Sequence, residues 1–215
     1  MALTFYCGSG SPFAWRVWLS LEFKGVPYEL KMISFSDREH KKPEYLDINP
    51  RGKIPAISDD GFALYESAAI VEYLDERFPD GPPLIGKTLR TRAITRRLIQ
   101  EADQYFLPAM DPLLDAVLFT PRENWSEEAI APARDKAAAE MVWWEKSMGP
   151  AFLTGDAPNA ADFTLYPHLA LTLRVDKRKP DVGVGALVGP NMRAWMQRVE
   201  ALPYLDRTVP PHWKK

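Results

Sequence analysis

The 215-residue chain has one cysteine, Cys7. A single thiol excludes an internal disulfide framework and fits a reducing compartment. Histidine is almost as scarce. His40, His168 and His212 lie far apart, and none has a second ligand at the three- or four-residue spacing of a zinc site, so no metal is expected. No apolar run approaches the length of a membrane span. The opening Met1-Ala2-Leu3-Thr4-Phe5-Tyr6 has neither the basic start nor the apolar stretch of a signal peptide. An excess of one charge is missing too, since 27 Lys and Arg face 29 Asp and Glu. Nothing in that balance points to a polyanion. The seven Trp are scattered rather than interleaved with basic residues, as they would be on a nucleic-acid platform. Gly8-Ser9-Gly10 lacks the third glycine and the Lys-Ser/Thr of phosphate-binding loops. The expectation is a cytoplasmic protein with no nucleic-acid or membrane partner.

What is present is a core and a change of pattern part-way along. Hydrophobic residues make up 46% of the chain, enough for one large domain or two small ones. In the first eighty residues strand and helix alternate. Leu3-Thr4-Phe5-Tyr6 reads as a buried strand. Pro12 suits the first turn of a helix that carries Trp15, Trp18, Leu19 and Phe23 at helical spacing and stops at Gly25. Residues 28–33 read as a second strand, and 43–46 as a short helix. Residues 55–57 and 63–64 read as two short strands around the turn Asp59-Asp60-Gly61. Residues 66–77 read as a helix with Ala69, Ile70, Tyr73 and Leu74 facing inward. This order predicts a small sheet covered by helices.

Phe78-Pro79-Asp80-Gly81-Pro82-Pro83 reads as a linker, and everything beyond it reads as helix. Residues 88–119 form a long amphipathic stretch in which Pro108 and Pro112 imply a kink or break. Ser126 is placed to cap the next helix, which runs to about Met148, with Glu127 and Glu128 favoured by its dipole. Asn159-Ala160-Ala161-Asp162 is a capping-box variant. A last helix is expected at 191–201, with a polar surface tail from Pro210. The domains are then 1–78, a linker 79–87 and an all-α domain 88–215.

The densest information lies at Asn49-Pro50-Arg51-Gly52-Lys53-Ile54-Pro55, followed by Glu66-Ser67 at a helix start. Pro50 and Gly52 make a turn, Lys53 adds a cation, and Ile54-Pro55 enters an extended stretch. A backbone edge, a cation and a helix N-terminus are what a small peptide with carboxylates at both ends needs.

With Ser11-Pro12-Phe13 and Arg16-Val17 before it, Tyr65-Glu66-Ser67 after it, the Pro/Gly linker, Asn159–Asp162 and the closing 192–205 segment, this pattern resembles a cytosolic glutathione transferase. The resemblance covers nearly the whole chain. It is to the serine type, in a theta-, tau- or zeta-like bacterial form. The resemblance implies an α/β thioredoxin-like first domain, an all-α second domain, glutathione as cosubstrate, a small electrophilic second substrate and a homodimer. It implies that Pro55 is cis, leaving the Ile54 backbone to pair with the cysteinyl unit of glutathione. It assigns Ser67 and Glu66 to the γ-glutamyl end, Lys53 and His40 to the glycyl carboxylate, and Asp103 to a reach across the dimer.

The nucleophile in such a reaction is the thiol of glutathione, which the protein must help to ionise. A hydroxyl at the N-terminus of the first helix can do this through one hydrogen bond and the helix dipole. Ser11 stands at that position, with Ser9, Cys7 and Tyr6 as rivals. Phe13, Phe35, Met110, Leu114 and Tyr166 are candidates for an apolar second-substrate pocket between the domains. Three other activities remain open. Cys7 would support a glutathione-dependent thiol–disulfide oxidoreductase. The run Ala14-Trp15-Arg16-Val17 resembles maleylacetoacetate isomerases, which leaves a glutathione-dependent isomerase or dehalogenase-like activity. A glutathione-binding protein with little turnover is the third.

Overall fold

A computed structural model describes residues 3–214. They form two compact units, Met1–Thr88 with Leu202–Lys215, and Leu89–Ala201. The segment after Leu202, which the sequence pattern grouped with the all-α half, therefore packs with the first unit.

The first unit holds a four-stranded sheet of β1 (Leu3–Cys7), β2 (Glu29–Met32), β3 (Ala56–Asp59) and β4 (Phe62–Tyr65) in the order β2-β1-β3-β4. β1 runs parallel to β2 and antiparallel to β3, and β3 runs antiparallel to β4. The parallel pair needs a crossover, and α1 (Pro12–Lys24) supplies it. Phe5, Ala56 and Ile57 are fully buried on the two central strands. β2 is exposed along its length, as suits an edge. α1 begins with Pro12 after the N-cap Ser11 and ends at Gly25, whose φ of 65° closes a left-handed C-cap. A four-residue helix, α2 (Pro43–Leu46), follows β2. α3 (Ser67–Arg77) buries Ser67, Ile70, Val71 and Leu74. These positions form one i, i+3, i+4, i+7 stripe, and the stripe excludes Ala69, which is exposed.

The linker is pinned to this unit. Asp75 accepts hydrogen bonds from the Leu84 N–H at 2.7 Å and the Lys24 ammonium at 3.3 Å, and Leu84 and Ile85 are buried beneath it.

The second unit is helical. α4 (Leu89–Glu101) runs through a π-turn (Ala102–Phe106) into α5 (Leu107–Val117). Pro108 therefore does not break the stretch. It sits in the first turn of α5 directly after the wider π-turn, whose change of register accommodates a residue without an N–H. α6 (Glu127–Ser147) starts without a side-chain bond from Ser126, contrary to the capping expectation. Only the Ser126 carbonyl serves that helix start, accepting from the Ile130 N–H. α7 (Ala160–Arg178) and α8 (Pro190–Glu200) complete the unit.

The capping box at α7 is fully formed. Asn159 Oδ1 accepts from the Ala161 N–H, and Asp162 Oδ2 accepts from the Asn159 N–H, both at 2.9 Å. Asp162 Oδ1 also accepts from the Leu153 N–H at 2.9 Å and the Trp195 indole N–H at 2.7 Å. The carboxyl is fully buried, and burial pushes its pKa up to about 6 against the bonds that hold it down. Asp162→Ala strands three donors, so in chemical denaturation at pH 7 it should cost about 3 kcal/mol. Burial raises the folded pKa, so a further, pH-linked contribution of Asp162 beyond these bonds is complete below the unfolded pKa and declines as pH rises through about 6. The gap between wild type and Asp162→Ala should therefore widen as pH is lowered from 7 toward 4.

Candidate functional site

The turn between α2 and β3 is built around one carbonyl. Lys53 C=O accepts from the Tyr45 hydroxyl at 2.6 Å and from the buried Asn49 side-chain amide at 2.7 Å. Asn49 Oδ1 in turn accepts from the Arg51 N–H at 3.0 Å. Gly52 lies at φ 55°, and a Cβ there would come within 2.8 Å of the His40 carbonyl, so only glycine fits. The Lys41 ammonium closes the turn on the Gly52 carbonyl at 2.7 Å. The Ile54–Pro55 bond is cis. Ile54 N–H and C=O form no hydrogen bond among the described residues. A short free strand edge therefore stands between the turn and β3.

Across from it, Glu66 holds φ 70° and ψ 106° immediately before α3. A non-glycine residue in that region is strained by roughly 1–3 kcal/mol, and such strain concentrates at ligand-binding positions. Glu66 makes no capping bond, so the first N–H groups of α3 remain open at the helix start. Phe13, Asn49, Lys53, Ile54, Pro55, Glu66 and Ser67 line one cavity of about 110 Å³. Five of the residues expected at the peptide site are thus brought together, with a cation at Lys53 and an anion at Glu66 on the same rim. The volume is well below the roughly 300–1,000 Å³ that encloses a drug-sized ligand, so this cavity has room for only part of such a molecule.

Ser11 is half-buried at the start of α1 and is not part of that lining; Phe13, two residues on, is. Ser11 Oγ accepts from the Ala14 N–H at 3.3 Å. Accepting there leaves the hydroxyl proton available for an anion. Ser9 Oγ is engaged with His212 Nδ1 at 2.9 Å. Tyr6 packs edge-on against Tyr45, with the Lys31 ammonium over its ring. Cys7 is buried at the end of β1, and burial pushes its thiol up to about 12.

His40 does not line the cavity. Partial burial and the charges of Lys41 and Arg38 lower its pKa, which favours the neutral imidazole in the free protein. Asp103 lies in the π-turn of the second unit, its Oδ1 3.9 Å from Nε2 of the buried His168. Phe35 is exposed and its ring covers Gly8. Met110, Leu114 and Tyr166 are 0%, 3% and 4% exposed, so they pack as core instead of lining an open pocket. Tyr166 is occupied further by Trp195 against its ring and Glu200 at its hydroxyl.

Asn49, Tyr45 and Lys41, which shape the turn, were not singled out from sequence. Asn49 stood in the quoted motif, but only the fold shows that its amide reaches back to Lys53. Among the described residues no three His, Cys, Asp or Glu gather as a metal would require. No described helix is long and apolar enough to cross a membrane.

Residues 10–77 match the model of the glutathione S-transferase N-terminal domain, and residues 127–198 match that of the C-terminal domain. Glutathione S-transferase F10 of Arabidopsis thaliana is 32% identical over 71% of this chain and 73% of its own. Glutathione S-transferase A of Pleuronectes platessa is 26% identical over 98% of this chain and 92% of its own. The crystal structure of glutathione transferase F2 from Populus trichocarpa superposes with a TM-score of 0.83 at 26% identity, covering 99% of this chain and 100% of that one.

A thiol held at a pKa of about 12 carries almost no thiolate at neutral pH. Native protein at pH 7.5 should therefore show no thiol reactive toward a disulfide reagent within minutes. One equivalent should appear on unfolding in guanidinium.

Proposed function

We propose a mechanism for this chain, which belongs to the glutathione S-transferase family and is a glutathione transferase, in which Ser11 donates to the sulfur of glutathione bound along Ile54. The observation that carries it is the single cavity that joins the unpaired Ile54 backbone, Lys53, Glu66 and Ser67. Glutathione has an amino group and a carboxylate at its γ-glutamyl end and a second carboxylate at its glycyl end. The Ser67 hydroxyl and N–H, at the positive end of α3, suit the γ-glutamyl carboxylate. Glu66 suits the amino group. Lys53 suits the glycyl carboxylate, with His40 as a second donor. Ile54 N–H and C=O then pair with the cysteinyl backbone as an added strand would.

This arrangement directs the cysteinyl sulfur toward the start of α1. The thiol proton leaves to solvent, the Ser11 hydroxyl donates a hydrogen bond to the thiolate, and the helix dipole adds to that stabilisation. The thiolate attacks an electrophilic carbon, and the leaving group or the conjugate-addition carbanion takes up the charge. The nucleophile comes with the cosubstrate, so the protein's part is to position the sulfur and hold its negative charge. The buried, weakly acidic Cys7 argues against thiol–disulfide exchange through the protein. Arg16 is buried with its guanidinium over the Phe13 ring, which ties the Ala14–Val17 run to packing and lends little to an isomerase reading.

The serine type, in a theta-, tau- or zeta-like bacterial form, rests on Ser11 within Ser11-Pro12-Phe13. A cytoplasmic setting fits the lone, buried thiol. A homodimer is supported by apolar side chains left open on the second unit, where Tyr105 is 62% and Trp143 41% exposed. Asp103 belongs to the same helical stretch and remains the candidate for a reach toward the partner's glutathione.

The test is a titration of the bound thiol by thiolate absorbance near 240 nm. Wild type should show a pKa well below that of free glutathione, and Ser11→Ala should return it toward the free value. An unshifted wild-type thiol, or a shift that survives Ser11→Ala, would refute the assignment. Ser67→Ala, by contrast, should weaken glutathione binding roughly tenfold in calorimetry, since one hydrogen bond to a charged group is lost. It should leave the thiol pKa of the bound form unchanged.

A further inference from the structure

The loop Gly8-Ser9-Gly10 places Ser11, yet it has little to hold its own shape. Gly10 lies at φ 88°, and the Ser11 N–H reaches back to the Gly8 carbonyl at 3.1 Å. The remaining constraint comes from the far end of the chain. The segment Tyr204–Trp213 lies along α1 and over this loop. It is fixed upstream by a buried bond from the Trp15 indole N–H to Thr208 Oγ1 at 2.8 Å and by Arg207 on Glu22 at 2.7 Å. Trp213 then packs edge-on against Trp15 with ring centres 5.4 Å apart. These contacts deliver His212 to the loop. Its Nδ1 is 2.9 Å from Ser9 Oγ, and its ring covers Gly10 so closely that a Cβ there would meet Cε1 at 3.0 Å. On the other side the Phe35 ring closes on Gly8, 2.6 Å from where a Cβ would stand. The loop is thus clasped between Phe35 and His212, and Thr208 and Pro210 border the same small hollow as Ser9, Gly10 and Ser11.

We propose that His212 is a positioning residue: by bonding Ser9 and covering Gly10 it fixes the loop that aims the Ser11 hydroxyl at the glutathione sulfur. The inference rests on the Ser11 reading above. The bond to Ser9 carries the effect, because it crosses from a segment anchored independently on α1 to a loop whose two glycines would otherwise let it move. Removing it leaves the peptide-anchoring cavity intact, since neither Ser9 nor His212 lines it. The consequence is a specific separation: the thiol should lose acidity while glutathione is held as before.

The test compares His212→Ala, His212→Asn, Ser9→Ala and Ser11→Ala in the full chain. Readouts are the 240 nm titration of bound glutathione and steady-state rates with an activated aryl chloride at pH 6.5. His212→Ala should raise the thiol pKa and lower kcat about tenfold, with the KM for glutathione within about twofold. Ser9→Ala should match it, and the double variant should add nothing further, since both remove one bond. His212→Asn keeps a polar atom near the Nδ1 position without a titrating ring and should restore most of kcat. The inference is overturned if His212→Ala leaves the thiol pKa at the wild-type value while Ser11→Ala raises it. It is also overturned if His212→Asn behaves as His212→Ala, because the charge of the ring and not its hold on Ser9 would then matter. If Ser11→Ala itself leaves the pKa unmoved, the Ser11 reading fails and this inference falls with it, whatever His212→Ala does.

Discussion

Two hydrogen bonds to the Lys53 carbonyl are the constraint on which the site depends. Tyr45 and Asn49 reach it from one side of the turn, and the chain beyond it is left with its Ile54 N–H and C=O unpaired. A buried backbone group normally finds a partner, and leaving one without costs about 1–3 kcal/mol. Holding the turn rigidly keeps that edge open for a ligand instead of letting it close on the protein. Gly52 enters for the same reason, because any side chain there would strike the His40 backbone and shift the carbonyl. The strained Glu66 is the matching feature across the cavity, where backbone strain turns the start of α3 toward the same space.

The chemistry then divides between two places in one unit. In the proposed mechanism the cavity along Ile54 provides affinity and orientation, and the start of α1 provides the charge stabilisation that makes the thiol reactive. Their separation explains why the cavity is small and its lining excludes Ser11. Binding through the γ-glutamyl and glycyl ends costs the enzyme nothing in reactivity at sulfur. Only a contact made at the thiolate lowers the barrier to attack. The C-terminal segment completes this division by bracing the loop before α1 and leaving the anchor alone.

Much of this was legible in the sequence because it is written in local, obligatory chemistry. Pro12 and Gly25 bound a helix by backbone geometry alone. Asn159 and Asp162 form their box because its two bonds need only a three-residue spacing. The Gly52–Pro55 turn with Glu66-Ser67 gave the cavity lining almost residue by residue. The misses have physical causes as well. Helical spacing could not tell Met110, Leu114 and Tyr166 as core from the same residues as pocket, since both settings want apolar side chains. Pro108 signalled a break, but a π-turn upstream satisfied its needs at lower cost. Ser126 has the right side chain for a cap and makes no such bond. The bonds of Asn49 to Lys53 and of His212 to Ser9 depend on chain folding, and the latter spans the whole sequence, so no local pattern could reveal it.

The central claim is that glutathione lies along Ile54 with its γ-glutamyl end at the start of α3. Amide chemical shifts in 15N-labelled protein titrated with glutathione address it directly. The account predicts the largest changes at the Ile54 and Ser67 amides, each gaining a hydrogen bond to the peptide, with smaller ones at Gly52 and Lys53. Changes concentrated instead around Tyr6, Lys31 and Tyr45, which line a separate hollow of about 330 Å³ on the same unit, with Ile54 and Ser67 unmoved, would contradict it.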